Sequence, residues 1–320
     1  DASSKPNPRS LFMGLWHEGE IGCLFADSGV GKSILAVQMG MEIAKTDIVL
    51  YIDCELTEIQ FKNRYISEYG ELAEFPDNMF RSEINPYAIY DGDYESTILA
   101  NIESSAIGLG ANVIIIDNLT YLCNNSEKGD SAGRFMMNLM QLKKRHGWSV
   151  LVIAHTPKRN LSSPITANDL AGSKKLYNFF DCVFALGRSA TEGQVRYLKQ
   201  LKVRVSEQKY GADNVIVYEL IKDGAMTKLE HIGFGKESDY LADIPSDGAR
   251  QTNGDKIVAV MREGVNYKHK ELIELANGLG INENSTKYTI SSPSITLEKL
   301  SLCSRVTVNV PFSARSTLET

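Results

Sequence analysis

Two short stretches carry residue types that handle phosphate. The first reads Ala26-Asp27-Ser28-Gly29-Val30-Gly31-Lys32-Ser33. Its glycines let the backbone curl so that successive N–H groups face one point, and a helix opening at Lys32 would add its positive end. In that arrangement the Lys32 ammonium reaches β- and γ-phosphate oxygens and the Ser33 hydroxyl ligates Mg²⁺. Asp27, Ser28, Gly29, Val30, Gly31, Lys32 and Ser33 are therefore the candidate residues for ATP, although Ala26 stands where the pattern has Gly. The second stretch, Val113-Ile114-Ile115-Ile116-Asp117, is an apolar run ending in a carboxylate. Asp117 is the second candidate for Mg²⁺, through a bound water.

These residues need a scaffold that brings strand ends together. Apolar, β-branched-rich runs at 21–25, 48–52, 113–116, 150–154 and 182–186 read as strands buried on both faces. Helical patterns separate them at 32–44, 56–69, 94–109 and 131–146, the second opening on the capping pattern Thr57-x-x-Gln60. Strand–helix alternation predicts an α/β, doubly wound, mainly parallel sheet. Residues 196–204, 214–221 and 226–232 read as short strands in an antiparallel extension.

Composition is compatible with this. The chain has 320 residues, is 43% hydrophobic and 23% charged, and has a net charge of −6. That excludes a wholly disordered chain and argues against broad coating of nucleic acid. No apolar run is long enough for a membrane helix. The five irregularly spaced cysteines fit neither a disulfide framework nor a zinc site, and point to thiols buried in a protein of the reducing cytoplasm.

Further motifs resemble those of RecA/DnaB-type ATPases. Val49-Leu50-Tyr51-Ile52-Asp53-Cys54-Glu55 is a strand after the phosphate-loop helix that ends in carboxylates. The resemblance implies that Glu55 polarises the attacking water. Val150-Leu151-Val152-Ile153-Ala154-His155 ends in a polar side chain. His155 would sense the γ-phosphate, where several relatives use Gln. Leu201-Lys202-Val203-Arg204 resembles the Lys-x-Arg element of hexameric helicases, so Arg204, with Lys202, would complete a neighbouring copy's site. The loop from Thr156 to Thr166 corresponds to one that lines a central channel. Lys158, Arg159, Lys174 and Lys175 give 156–176 a net charge of +3, and they are the candidate contacts to single-stranded DNA. The 123–130 loop is acidic and is assigned no DNA contact.

Among these ATPases the sequence most resembles RepA-like hexameric replicative helicases of plasmids and mobile elements, over about 12–233. An Asn-Lys-x-Asp segment for reading guanine is absent, as is a Leu-Ser-Gly-Gly-Gln signature. The expected organisation is a linker at 1–11, a RecA-like domain at 12–242, a linker at 243–254 and a small helical module at 255–320. Predicted helices at 256–263 and 269–276 fit part of a helix-turn-helix or winged-helix module, or a small oligomerisation or loading element; the net charge of 246–320 is only +1. The opening 1–8 reads as linker downstream of further chain. Two activities remain open at this point: a ring-forming motor on DNA, or an ATP-gated oligomeric switch. A small-molecule phosphotransferase on the same fold is a weaker third.

Overall fold

In the computed structural model, the described residues are 7–84, 94–122, 130–156, 159–170, 174–205 and 207–242, with 256–257, 261, 267, 269–281 and 286. The chain divides into two compact units, Asp1–Ala242 and Asp243–Thr320.

The first unit is built on a nine-stranded sheet. Its strands are β3 (Ile21–Ala26), β4 (Val49–Asp53), β5 (Met79–Glu83), β6 (Val113–Asp117), β7 (Ser149–His155), β8 (Cys182–Arg188), β9 (Val195–Lys202), β10 (Val215–Asp223) and β11 (Met226–Gly235). They run in the order β11-β10-β9-β8-β3-β7-β6-β4-β5. From β8 to β5 every pairing is parallel, and β9, β10 and β11 add on antiparallel. The predicted sheet and its antiparallel extension are thus both present.

The central strands β3, β4 and β6 are buried along their whole length, because helices cover both faces. One face packs α3 (Tyr94–Leu109) and α5 (Asp130–His146). α3 presents Ile98, Ile102 and Ala106 at helical spacing, and α5 presents Phe135, Met136, Leu139 and Leu142. The other face packs α1 (Lys32–Ile43) through Leu35, Ala36, Met39 and Ile43. Shorter helices α2 (Glu58–Arg64), α4 (Leu119–Leu122) and α6 (Lys174–Phe179) complete the layers. α2 has the predicted Thr57–Gln60 capping box but ends at Arg64, short of 69.

Two features differ from expectation. Residues 9–11 belong to the fold, not to a linker. The hairpin of β1 (Ser10–Phe12) and β2 (Trp16–His17) turns through Met13 and Gly14, both at positive φ, and buries Trp16 completely. Arg9 ties it down with ion pairs to Asp47 at 2.7 Å and Glu18 at 2.9 Å. The second is β5, which pairs parallel with β4 at the sheet edge and has no counterpart among the predicted strands. Its sequence Met-Phe-Arg-Ser-Glu is half polar, as an edge strand tolerates.

In the second unit, α7 (His269–Gly278) buries Leu272 and Ala276 in a small cluster with Ile257 and Ile281. The 243–254 linker, most of the helix expected at 256–263, the tail beyond 287 and the 123–129 loop lie outside the described residues.

Candidate nucleotide site

Sheet register assembles the site before any side chain is considered. Ala26 at the end of β3 is opposite His155 at the end of β7, and Asp53 at the end of β4 is opposite Asp117 at the end of β6. Four carboxyl ends of neighbouring parallel strands therefore form one rim. In open α/β sheets that rim is where ligands bind.

The phosphate loop leaves β3 there. Gly29 and Gly31 have φ of 74° and 113°, which only glycine adopts without strain. Ala26 is the last residue of β3 and is buried, so its position does not need the glycine that the usual pattern has. α1 begins with no side-chain cap and no acidic residue in its first turn. Its first N–H groups are thus left for an anion.

Lys32 is 5% exposed. Burial pulls its pKa down, against the pull of Asp117, Glu55 and Asp27, so an ammonium sits where only anions relieve it. Asp117 is 2% exposed and accepts a 2.7 Å hydrogen bond from the Tyr51 hydroxyl on Oδ2. The Ser33 hydroxyl interacts with the same carboxyl group. Burial pushes the Asp117 pKa up to about 6, and Ser33 and Tyr51 oppose that shift. Its Oδ1 is buried without a hydrogen-bond partner. A buried, unpartnered carboxylate oxygen beside a hydroxyl is a donor set that suits Mg²⁺, directly or through water.

Glu55 is exposed just beyond β4. The turn that carries it is organised by Asp53, whose Oδ1 accepts from the Glu55 and Leu56 backbone N–H groups at 3.0 and 2.8 Å. Arg81 of β5 closes the other side, donating to Asp53 Oδ2 at 2.9 Å and to the Leu56 carbonyl at 2.5 Å. His155 is half-buried; burial first, then Lys32, lowers its pKa, and Glu55 partly offsets this. Between Glu55 and His155 lies Asn118, wholly buried.

The sequence reading missed three residues here. Tyr51 orients Asp117, Asn118 joins Glu55 to His155, and Arg196 supports the phosphate loop. The Arg196 guanidinium is buried and donates to the Val30 carbonyl at 2.7 Å and to Gly193 and Val195 carbonyls at 2.8 and 2.9 Å. Asn118 directly after the strand-end Asp was the one available signal; Arg196 stands in a half-polar strand with Lys199, Gln200 and Lys202 and was not marked out.

Lys202, Arg204 and Arg159 are engaged away from this rim. Lys202 donates to the Tyr177 carbonyl at 3.0 Å and lies over the Tyr177 ring. Arg204 pairs with Asp181 at 2.8 Å, whose other oxygen accepts from the N–H of Ile21 at the start of β3. Arg204 therefore sits at the amino end of β3, and the phosphate loop at its carboxyl end. Six residues of strand separate the two by about 20 Å. Arg204 does not serve its own chain's phosphate loop in this conformation. Arg159 is turned onto its own loop, where it donates to the Ser163 carbonyl and faces Asp169 at 4.0 Å. Lys158 lies outside the described residues, and Lys174 and Lys175 form the first turn of α6.

Residues 1–160 match the AAA domain family. The chain belongs to this family. A DNA helicase/primase of Enterobacteria phage T3 is 24% identical over 203 residues, covering 53% of this chain and 36% of the phage protein. This chain thus spans about a third of that relative's length. A KaiC-like protein of Pyrococcus horikoshii OT3 shares the fold, with a TM-score of 0.50 and 13% identity over 68% of this chain and 94% of that one. With its phosphate loop and mixed sheet, the AAA domain described here is a RecA-type P-loop domain related to replicative helicases. Membership implies nucleotide binding. Among the described residues no helix is long and apolar enough to cross a membrane.

Proposed function

We propose that this protein is an ATP-hydrolysing RecA-type motor acting on DNA, of the RepA-like replicative helicase kind found on plasmids and mobile elements. One observation carries the reading: Lys32, Asp117, Glu55 and His155 meet at the carboxyl ends of adjacent parallel strands. Asp27 to Ser33 hold the ATP phosphates by backbone N–H groups and the Lys32 ammonium. Ser33 and Asp117 hold Mg²⁺, which when bound neutralises charge on the β- and γ-phosphates. Glu55 orients and deprotonates the attacking water from an exposed position, and His155 reports the state of the γ-phosphate to the loop that follows it.

Two further parts of the reading extend to partners. Arg204, with Lys202, reaches the nucleotide of a neighbouring copy in a ring, six copies by analogy with RepA-like helicases. Its own loop lies at the other end of β3, which supports action in trans. Lys158, Arg159, Lys174 and Lys175 contact single-stranded DNA along the 156–176 segment.

ATP turnover with and without single-stranded DNA, alongside particle mass by light scattering and displacement of a forked duplex, tests the proposal. DNA-stimulated turnover and strand displacement by an oligomer are expected. Lys32→Ala should abolish turnover, and Glu55→Gln should keep ATP binding but stop hydrolysis. Turnover that persists in Lys32→Ala refutes the site assignment. ATP-dependent assembly without strand displacement would instead favour an oligomeric switch. The inward pairing of Arg159 is the observation on that side.

A further inference from the structure

Asn118 holds two candidate site residues with one functional group. Its Nδ2 donates to Glu55 Oε2 at 3.0 Å and lies 2.8 Å from His155 Nε2. Its Oδ1 accepts from the Thr120 N–H at 3.1 Å. These contacts fix the amide's orientation. Turned end for end, it would set its oxygen against the Glu55 carboxylate and its NH₂ against the Thr120 N–H, losing both bonds. With the NH₂ facing His155, Nε2 is the acceptor, so the ring is neutral with its proton on Nδ1. The depressed pKa of His155, caused by burial and by Lys32, agrees with a neutral ring.

The amide has little room to move. Asn118 is wholly buried and directly follows Asp117, whose carbonyl accepts from the Cys54 N–H at 2.7 Å. That bond pins the end of β6 to the turn carrying Glu55. From the other side, the Thr156 N–H donates to the Ala26 carbonyl at 3.2 Å, so the chain after His155 starts against the phosphate loop. A displacement of His155 that breaks its bond to Asn118 leaves a buried N–H without an acceptor. The amide must then shift, and Glu55 with it.

We propose that Asn118 is a positioning residue that couples Glu55 to His155, so that the water-activating carboxylate and the root of the 156–166 loop change position together. This rests on the roles given above to Glu55 and His155. The hydrogen bonds of the Asn118 amide go to Glu55, His155 and Thr120, none of them in the phosphate loop, so its loss should act on turnover and not on ATP binding.

The test is a double-mutant cycle on steady-state ATP turnover by the full chain. Asn118→Ala should lower kcat about 10-fold, the effect of one hydrogen bond to a charged group, with KM for ATP changed about 2-fold or less. In a His155→Ala background the same change should cost about 2-fold or less, because an amide no longer held by His155 does not fix Glu55 in place even while it bonds to it. In a His155→Gln background it should again cost about 10-fold, since the Gln oxygen restores an acceptor for the amide. Should Asn118→Ala not fold, Asn118→Leu keeps about the same volume, removes both donors and adds no charge beside Glu55, and it should show the same dependence on background. Equal losses in all three backgrounds, or a KM that rises in step with the fall in kcat, would overturn the proposal. Wild-type protein that fails to hydrolyse ATP would overturn the catalytic reading itself, and does so before any variant is compared.

Discussion

The base of the 156–166 loop is held by a buried ion pair, and that pair allows a quantitative test. Lys199 Nζ lies 2.5 Å from Glu237 Oε2, with the two side chains 10% and 2% exposed. The pair also grips Ile165 at both ends of its backbone. The Ile165 N–H donates to Glu237 Oε1 at 2.7 Å, and Lys199 Nζ donates to the Ile165 carbonyl at 2.8 Å. Glu237→Gln keeps an acceptor for the Ile165 N–H but leaves a buried ammonium without its counter-charge, at a cost of about 3–5 kcal/mol. In a domain of this size that lowers Tm by roughly 6–20 °C. Lys199→Met with Glu237→Leu removes both charges. For an isolated pair the double change would be near neutral. Here it strands the Ile165 N–H and carbonyl, each worth about 1–3 kcal/mol when dry, so the double variant should still lose about 2–6 kcal/mol. The assay is urea unfolding followed by tryptophan fluorescence. The chain has two tryptophans, Trp16 and Trp148, both buried in the first unit, so the signal reports that unit. A loss below about 1 kcal/mol for Glu237→Gln, or a double variant as stable as wild type, would show that the pair does not hold Ile165 as described.

Three other outcomes follow from the geometry. Arg196→Lys should remove the bond to the Val30 carbonyl and weaken fluorescent-nucleotide binding about 10-fold; unchanged affinity would mean the loop keeps its shape unaided. In metal-free protein the Asp117 pKa rises from 3.8 to about 6 on folding, so between those values the folded state holds a proton that the unfolded state has released. Stability should therefore fall as pH climbs through that window, by roughly 2–3 kcal/mol in all, and urea titrations of Asp117→Asn should lack this slope. Arg204→Ala should cost under about 1 kcal/mol, because the partner it leaves, Asp181, keeps Lys143 and the Ile21 N–H. Mixed with Glu55→Gln chains it should regain hydrolysis if Arg204 works in trans, and lack of recovery at all mixing ratios counts against that role.

The parts of the fold that were legible in the sequence share a physical cause. β3, β4, β6 and β7 lie between two helical layers, so their runs are apolar throughout and stand out from the helices between them. β5 and the β1–β2 hairpin lack that signature, since one is a half-polar edge and the other is three residues paired with two. In the site, Lys32, Ser33 and Asp117 belong to patterns set by local chain geometry, and these can be read from neighbours in sequence. Asn118, Tyr51 and Arg196 act on residues 63, 66 and 166 positions away. Only the crossovers of the sheet bring them there, so even the position of Asn118 after the strand-end Asp names no partner. Lys202 and Arg204 show the converse: a basic pattern visible in sequence is engaged with Tyr177 and Asp181 at the amino end of the neighbouring strands.

β9 gives these separate contacts a common axis. Arg196 near its start holds the phosphate loop, Lys199 in its middle holds the far end of the 156–166 loop at Ile165, and Lys202 at its end holds α6. The strand pairs with β8 from Arg196 to Lys202, with a register shift between Gln200 and Lys202, and with β10 from Val195 to Leu198. About 20 Å of extended backbone, Arg196 to Lys202, joins the contact on Val30 to the contact on Tyr177. One strand therefore sets the distance between the phosphate loop at one rim and α6 at the other, so the two are spaced by backbone rather than by side-chain packing.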